Sequence, residues 1–135
     1  MERFACLAAA LSGLLLLAAA SPKSRALAGV EPGLWEVSRS ATGRDAKSMC
    51  LGDLQELASA GHPGERCVRS VLSERPGELL LDLSCPRGEF ARSRISVVTP
   101  RSVKVETQGI HRGAPFALTL FARRTGSCRT NMAGR

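Results

Sequence analysis

Four of the five cysteines, two histidines and a group of arginines are the residues here that could do chemistry. Cys50, Cys67, Cys85 and Cys128 are spaced 17, 18 and 43 residues apart. That spacing contains no C-x-x-C and no nearby histidine pair, so it reads as two disulfides rather than a metal centre. His62 and His111 each lie beside glycine and proline and read as exposed turn residues. No G-x-S-x-G, H-E-x-x-H or phosphate-binding glycine loop occurs, and the acids are spread singly rather than in the local pairs of a glycosidase. The sequence therefore implies no catalytic residues, no metal and no cofactor. Arg87, Arg92 and Arg94 form the nearest thing to a basic cluster. In an extended strand Arg92 and Arg94 share one face and form a possible anion-binding surface for phosphate or carboxylate groups.

The elements that carry these residues begin after an apolar leader. Phe4 to Ala20 is almost unbroken apolar sequence, and Ala26-Leu27-Ala28 follows as an A-x-A triplet before Gly29. This predicts a secretory signal peptide over 1–28, with cleavage after Ala20, behind Ala18-Ala19-Ala20, as the alternative. Removal of 28 from 135 residues leaves 107, enough for a single domain, 29–135, that does not span a membrane after processing. It also removes Cys6, leaving an even number of cysteines in an exported chain.

In the mature chain, Gly33 to Arg39 alternates Trp35 and Val37 against polar residues and predicts a strand. Ala46 to Leu51 predicts a second. Asp53 with Glu56 forms a capping box ahead of a short helix that ends at Gly61-His62-Pro63-Gly64. From Cys67 the period becomes two. Cys67–Ser73, Glu78–Cys85, Glu89–Val98, Ser102–Ile110 and Phe116–Arg123 read as five strands joined by short turns, an antiparallel meander. The fold class expected is mainly β: a small curved antiparallel sheet or open barrel with one short helix, stapled by disulfides. Two helical turns cannot cover such a sheet, so it must curl or pack on its first strands. Of three possible connectivities, Cys50–Cys67 is expected to staple the helix and Cys85–Cys128 to join the far ends of the last three strands.

The frame Glu31-Pro32-Gly33-Leu34-Trp35-Glu36-Val37, then Cys50-Leu51 before a short helix, Cys67, a strand ending at Cys85, and Arg123-Arg124-Thr125-Gly126-Ser127-Cys128 resembles the domain-of-unknown-function family 3617 of exported bacterial proteins. The resemblance covers Glu31 to Cys128. It implies an envelope location, a mostly β domain and paired cysteines, and no activity. The chain departs from that pattern between Pro86 and Arg94, where Arg87, Arg92 and Arg94 stand in a stretch that is glycine-rich and polar in the family.

The formal charge of +7 comes from 19 basic and 12 acidic residues. The arginines are scattered, there is no tyrosine, and the aromatics after the leader are Trp35, Phe90, Phe116 and Phe121, so a base-stacking platform for nucleic acid is not expected. The function expected is a periplasmic or secreted, non-enzymatic binding or interaction module of the bacterial envelope. Its partner would be an apolar or amphipathic ligand, an envelope lipid or a protein. The alternative is a periplasmic hydrolase whose residues converge only in three dimensions.

Overall fold

The computed structural model describes residues 23–129, so the apolar leader and the last six residues lie outside the described region. Seven strands form one antiparallel sheet: β1 Gly33–Ser38, β2 Lys47–Leu51, β3 Val68–Arg75, β4 Glu78–Ser84, β5 Phe90–Thr99, β6 Ser102–His111 and β7 Ala114–Gly126. Their order across the sheet is β2-β1-β7-β6-β5-β4-β3, and the sheet is not closed. The expected meander is β3 to β7. Instead of packing on the meander, the first strands join it, with β1 pairing against β7 from Leu34↔Gly126 to Ser38↔Phe121. Pairing satisfies the backbone groups of β1 and β7, which would otherwise be free at an edge.

This order places β2 and β3, neighbours in sequence, at opposite edges. The chain between them must cross the whole sheet, and it does so over the apolar face. The crossing carries a 3-10 helix, Leu54–Ser59, capped as expected: the Asp53 side chain accepts from the Gln55 N–H, and Glu56 reaches back to the Asp53 N–H. Leu54, Leu57 and Ala58 are buried with Leu79, Leu81, Leu83, Ile95, Val103, Val105 and Trp35 in one core. Alternation sets the faces: Leu79, Leu81 and Leu83 point inward, while Leu80 and Asp82 between them face the other side.

The second cover is the segment before β1. Ala26, Leu27 and Val30 belong to the same core, and Gly77 donates its N–H to the Ala26 carbonyl. Ser24 Oγ and the Ala26 N–H both donate to Glu74 Oε1 at the sheet edge. Residues on the leader side of a cut after Ala28 are thus packed into the domain.

The disulfide pairing differs from expectation: the bonds are Cys67–Cys85 and Cys50–Cys128, not Cys50–Cys67 and Cys85–Cys128. The crossover explains why. Cys50 and Cys67 flank the helix in sequence, but the crossing segment that carries the helix spans the sheet and leaves them on opposite edges. In the β3–β4 hairpin Val68 pairs with Ser84, so one step further Cys67 faces Cys85, with Cα atoms 4.2 Å apart. At the other edge, Leu34 pairs with both Cys50 and Gly126, and the chain past β7 brings Cys128 within 5.6 Å of Cys50.

Candidate functional site

The open face of the sheet carries the residues expected to bind anions. Arg92 and Arg94 both project from β5 onto this face, as their spacing requires. Each is met by an acid on β4. Arg92 Nε and its terminal nitrogen donate to the two oxygens of Asp82 at 2.7 and 2.9 Å, a bidentate pair formed because Asp82 is its cross-strand partner. Hydrogen bonding and attraction from Arg92 hold the Asp82 carboxyl below the usual carboxylate range. Arg94 Nε lies 3.9 Å from Glu78 and pairs in register with Glu106 on β6. Arg87, the third member of the sequence cluster, is elsewhere: it donates to Glu65 at 2.6 Å. The face is therefore charge-balanced rather than basic.

Among the described residues, hollows open on this face. One, of about 410 Å³, is lined by Leu80, Arg92, Arg94, Glu106, Gln108 and Thr119 among others. Another, of about 670 Å³, lies toward the end of the sheet and includes Phe90, Pro115 and Phe116 together with Arg92, Gln108 and Gly109. Phe90 is 52% exposed. A Cβ at Gly109 would overlap the Phe90 carbonyl, so the close approach of β5 and β6 at this point requires glycine. On the opposite face Leu79, Leu81 and Val103 are buried by the chain's own covers.

A second constellation was not expected from the sequence. His62 and His111, read as exposed turn residues, converge on Glu89. His62 is 1% exposed and Glu89 7%. The positions follow from three connections. His62 leaves the 3-10 helix in a turn whose N–H is bonded to the Ser59 carbonyl, and its Nε2 lies 2.8 Å from the Ile110 carbonyl. Glu89 follows the short 3-10 turn Pro86–Gly88 and is anchored by its own carbonyl, which accepts from the Cys85 N–H at 2.8 Å. His111 ends β6, and the next two residues, Arg112 and Gly113, have φ of 51° and 74°, the left-handed pair of a tight hairpin turn.

That turn aims the Arg112 N–H at Glu89 Oε1, 2.6 Å away, while Glu89 Oε2 lies 3.1 Å from His111 Nδ1 and 3.8 Å from His62 Nε2. Burial opposes ionisation of Glu89. The Arg112 N–H, His111 and Arg87 outweigh it and hold the carboxyl below its ordinary range. The His62 ring packs edge-on to His111 and Phe116. Its Nδ1 is the buried side-chain polar atom without a hydrogen-bond partner among the described residues. One donor atom from each of His62, Glu89 and His111 lies within 4.8 Å of the others. A hydrolytic triad would add a hydroxyl; among the described residues neither ring is hydrogen-bonded to one.

Among the described residues no helix is long and apolar enough to cross a membrane. The two disulfides indicate an oxidising, non-cytosolic environment. Comparison of the chain with protein families, with curated proteins and with solved structures finds no match.

Proposed function

We propose that this chain is an exported bacterial envelope protein, periplasmic or secreted, that acts as a non-enzymatic binding module for an amphipathic ligand. The observation that carries this reading is the hollow of about 670 Å³ in which exposed Phe90, with Pro115, adjoins Arg92, Asp82 and Gln108. Apolar surface next to a few fixed polar groups suits a ligand with a hydrocarbon portion and a polar head. Export is supported by the apolar leader, by the disulfides and by the resemblance to the domain-of-unknown-function family 3617.

Processing after Ala20 fits this reading better than processing after Ala28, because Ala26 and Leu27 fill the core and Ala26 bonds to Gly77 and Glu74. The mature protein is then expected to begin at Ser21. Mass spectrometry of material extracted from protein purified from its native compartment tests the ligand. A copurifying amphiphile, together with loss of fluorescent fatty-acid probe binding in Phe90→Ser, is expected. Absence of both overturns the binding reading.

A periplasmic hydrolase is the second reading, favoured by one contact: a carboxylate at His111 Nδ1 is the arrangement that orients an imidazole as a general base. Turnover of an ester, glycoside or peptide that is abolished in His111→Gln would put this reading first.

A further inference from the structure

We propose that His62, Glu89 and His111 form a binding site for a divalent transition-metal ion, zinc being the ion their chemistry suits best. Two imidazoles and one carboxylate are a borderline nitrogen and oxygen set of the kind zinc takes in sites that keep one position open. A tetrahedral ion with bonds of about 2.0 to 2.2 Å needs donors about 3.3 to 3.6 Å apart. The separations of 3.1 Å from Glu89 Oε2 to His111 Nδ1 and 3.8 Å to His62 Nε2 bracket that requirement. Movements of a few tenths of an ångström bring both Glu89 separations to that length, and one donor atom from each of the three residues lies within 4.8 Å of the others.

The surroundings prepare the ligands. The Arg112 N–H fixes the other oxygen of Glu89, the outer contact that orients a ligating carboxylate. On His62 the tautomer is set by what each nitrogen bonds, and Nδ1 bonds nothing. In the metal-free protein Nε2 therefore donates its N–H to the Ile110 carbonyl, and an ion takes the Nε2 lone pair by displacing that hydrogen bond, the proton moving to Nδ1. His111, half-buried, gives the site its opening to solvent.

The sulfurs of Cys67 and Cys85 also approach His62, but bonded to each other they offer no thiolate, so the oxidised protein presents the histidine and glutamate set. One group competes. A terminal nitrogen of Arg87 lies 4.0 Å from Glu89 Oε2, yet this side chain is 62% exposed and bonded to Glu65, so it can withdraw.

The test uses tag-free, disulfide-intact protein, stripped with chelator and titrated with zinc by calorimetry and with cobalt by visible absorption. The expected result is one saturable site per chain, with cobalt bands of a low-coordinate nitrogen and oxygen centre. His111→Gln, at a partly exposed position, should keep the fold, checked by circular dichroism. It should weaken zinc binding by more than the roughly 10-fold to 100-fold that loss of an outer partner costs. Arg87→Ala should tighten binding several-fold by removing a like charge. A merely structural cluster predicts neither change. Absence of saturable binding, unchanged affinity in His111→Gln, or weaker affinity in Arg87→Ala overturns the site. Probe binding at Phe90 is unaffected by any of these outcomes, so the two proposals fail separately.

Discussion

Ser93, fully buried at the middle of β5, donates its hydroxyl to the Ala58 carbonyl on the crossover helix at 2.7 Å and lies at the same distance from Thr107 Oγ1 on β6. A polar atom is thus spent at the centre of the core to fix where the crossing chain sits on the sheet.

Ser93→Ala strips a partner from two buried oxygens and should cost about 1 to 3 kcal/mol, the penalty of leaving such groups unsatisfied. Leu81→Ala, at a fully buried position, should cost about 2 to 5 kcal/mol through the cavity it leaves. Urea midpoints measure both. A Ser93→Ala protein as stable as the wild type would show that the crossover is held by its leucines alone.

Nonreducing peptide mapping should yield Cys67–Cys85 and Cys50–Cys128 peptides. The bonds close loops with sequence separations of 18 and 78 residues, for which chain entropy gives about 3 and about 4.5 kcal/mol. Paired serine replacement of Cys50 and Cys128 should therefore lower the unfolding temperature more than that of Cys67 and Cys85.

Acid should loosen the segment before β1. Hydrogen bonds from Ser24 and then Ala26 hold the Glu74 carboxyl below its ordinary 4.5. A depressed folded-state value means stability that is fully present above the unfolded value and lost as pH falls through the folded one. Protection of the Ala26 amide, with the intrinsic exchange rate divided out, should be high at pH 6 and fall below about pH 4.5, and Glu74→Gln should remove most of that pH dependence. An Ala26 amide equally protected at pH 6 and pH 3 would contradict the latch.

On the open face, Arg92→Ser with Arg94→Ser should weaken binding to anionic vesicles by an amount that shrinks with salt, since exposed charges are screened within about 10 Å at 0.1 M. Asp82→Asn should do the opposite by releasing Arg92 from its carboxylate. If neither changes vesicle binding in a cosedimentation assay, these arginines serve the sheet and not a membrane.

How far the sequence carries depends on the range of the interaction. Strands, turns and the Asp53 and Glu56 capping box are local, and alternation alone places Leu79, Leu81 and Leu83 inside and Arg92 with Arg94 outside. Hairpin register carries somewhat further. Phe90 pairs with Ile110, so Glu89 and His111 face each other just beyond, once the irregularity between Val97 and Thr99 is allowed for. His62 reaches that pair only because the crossover returns it across the sheet. No local pattern encodes this, and the same crossing misdirects a pairing of Cys50 with Cys67 based on their nearness in sequence. The burial of Ala26 and Leu27 was hidden for another reason: an A-x-A triplet and a core segment use the same small and apolar residues.

The strand order also sets a timetable for folding. A nascent chain emerges N-terminus first, yet β1 and β2 have no partner outside their own hairpin until β7, the last strand made, is available. A two-stranded ribbon alone is marginal in water, so the first third of the domain must wait while the meander from β3 onward assembles by short-range steps. The slow event is then the return of the N-terminal hairpin to the C-terminal strand, a closure of high contact order. Until it occurs, β7 is an unprotected edge, and that interval is when the chain is most open to pairing with the wrong neighbour.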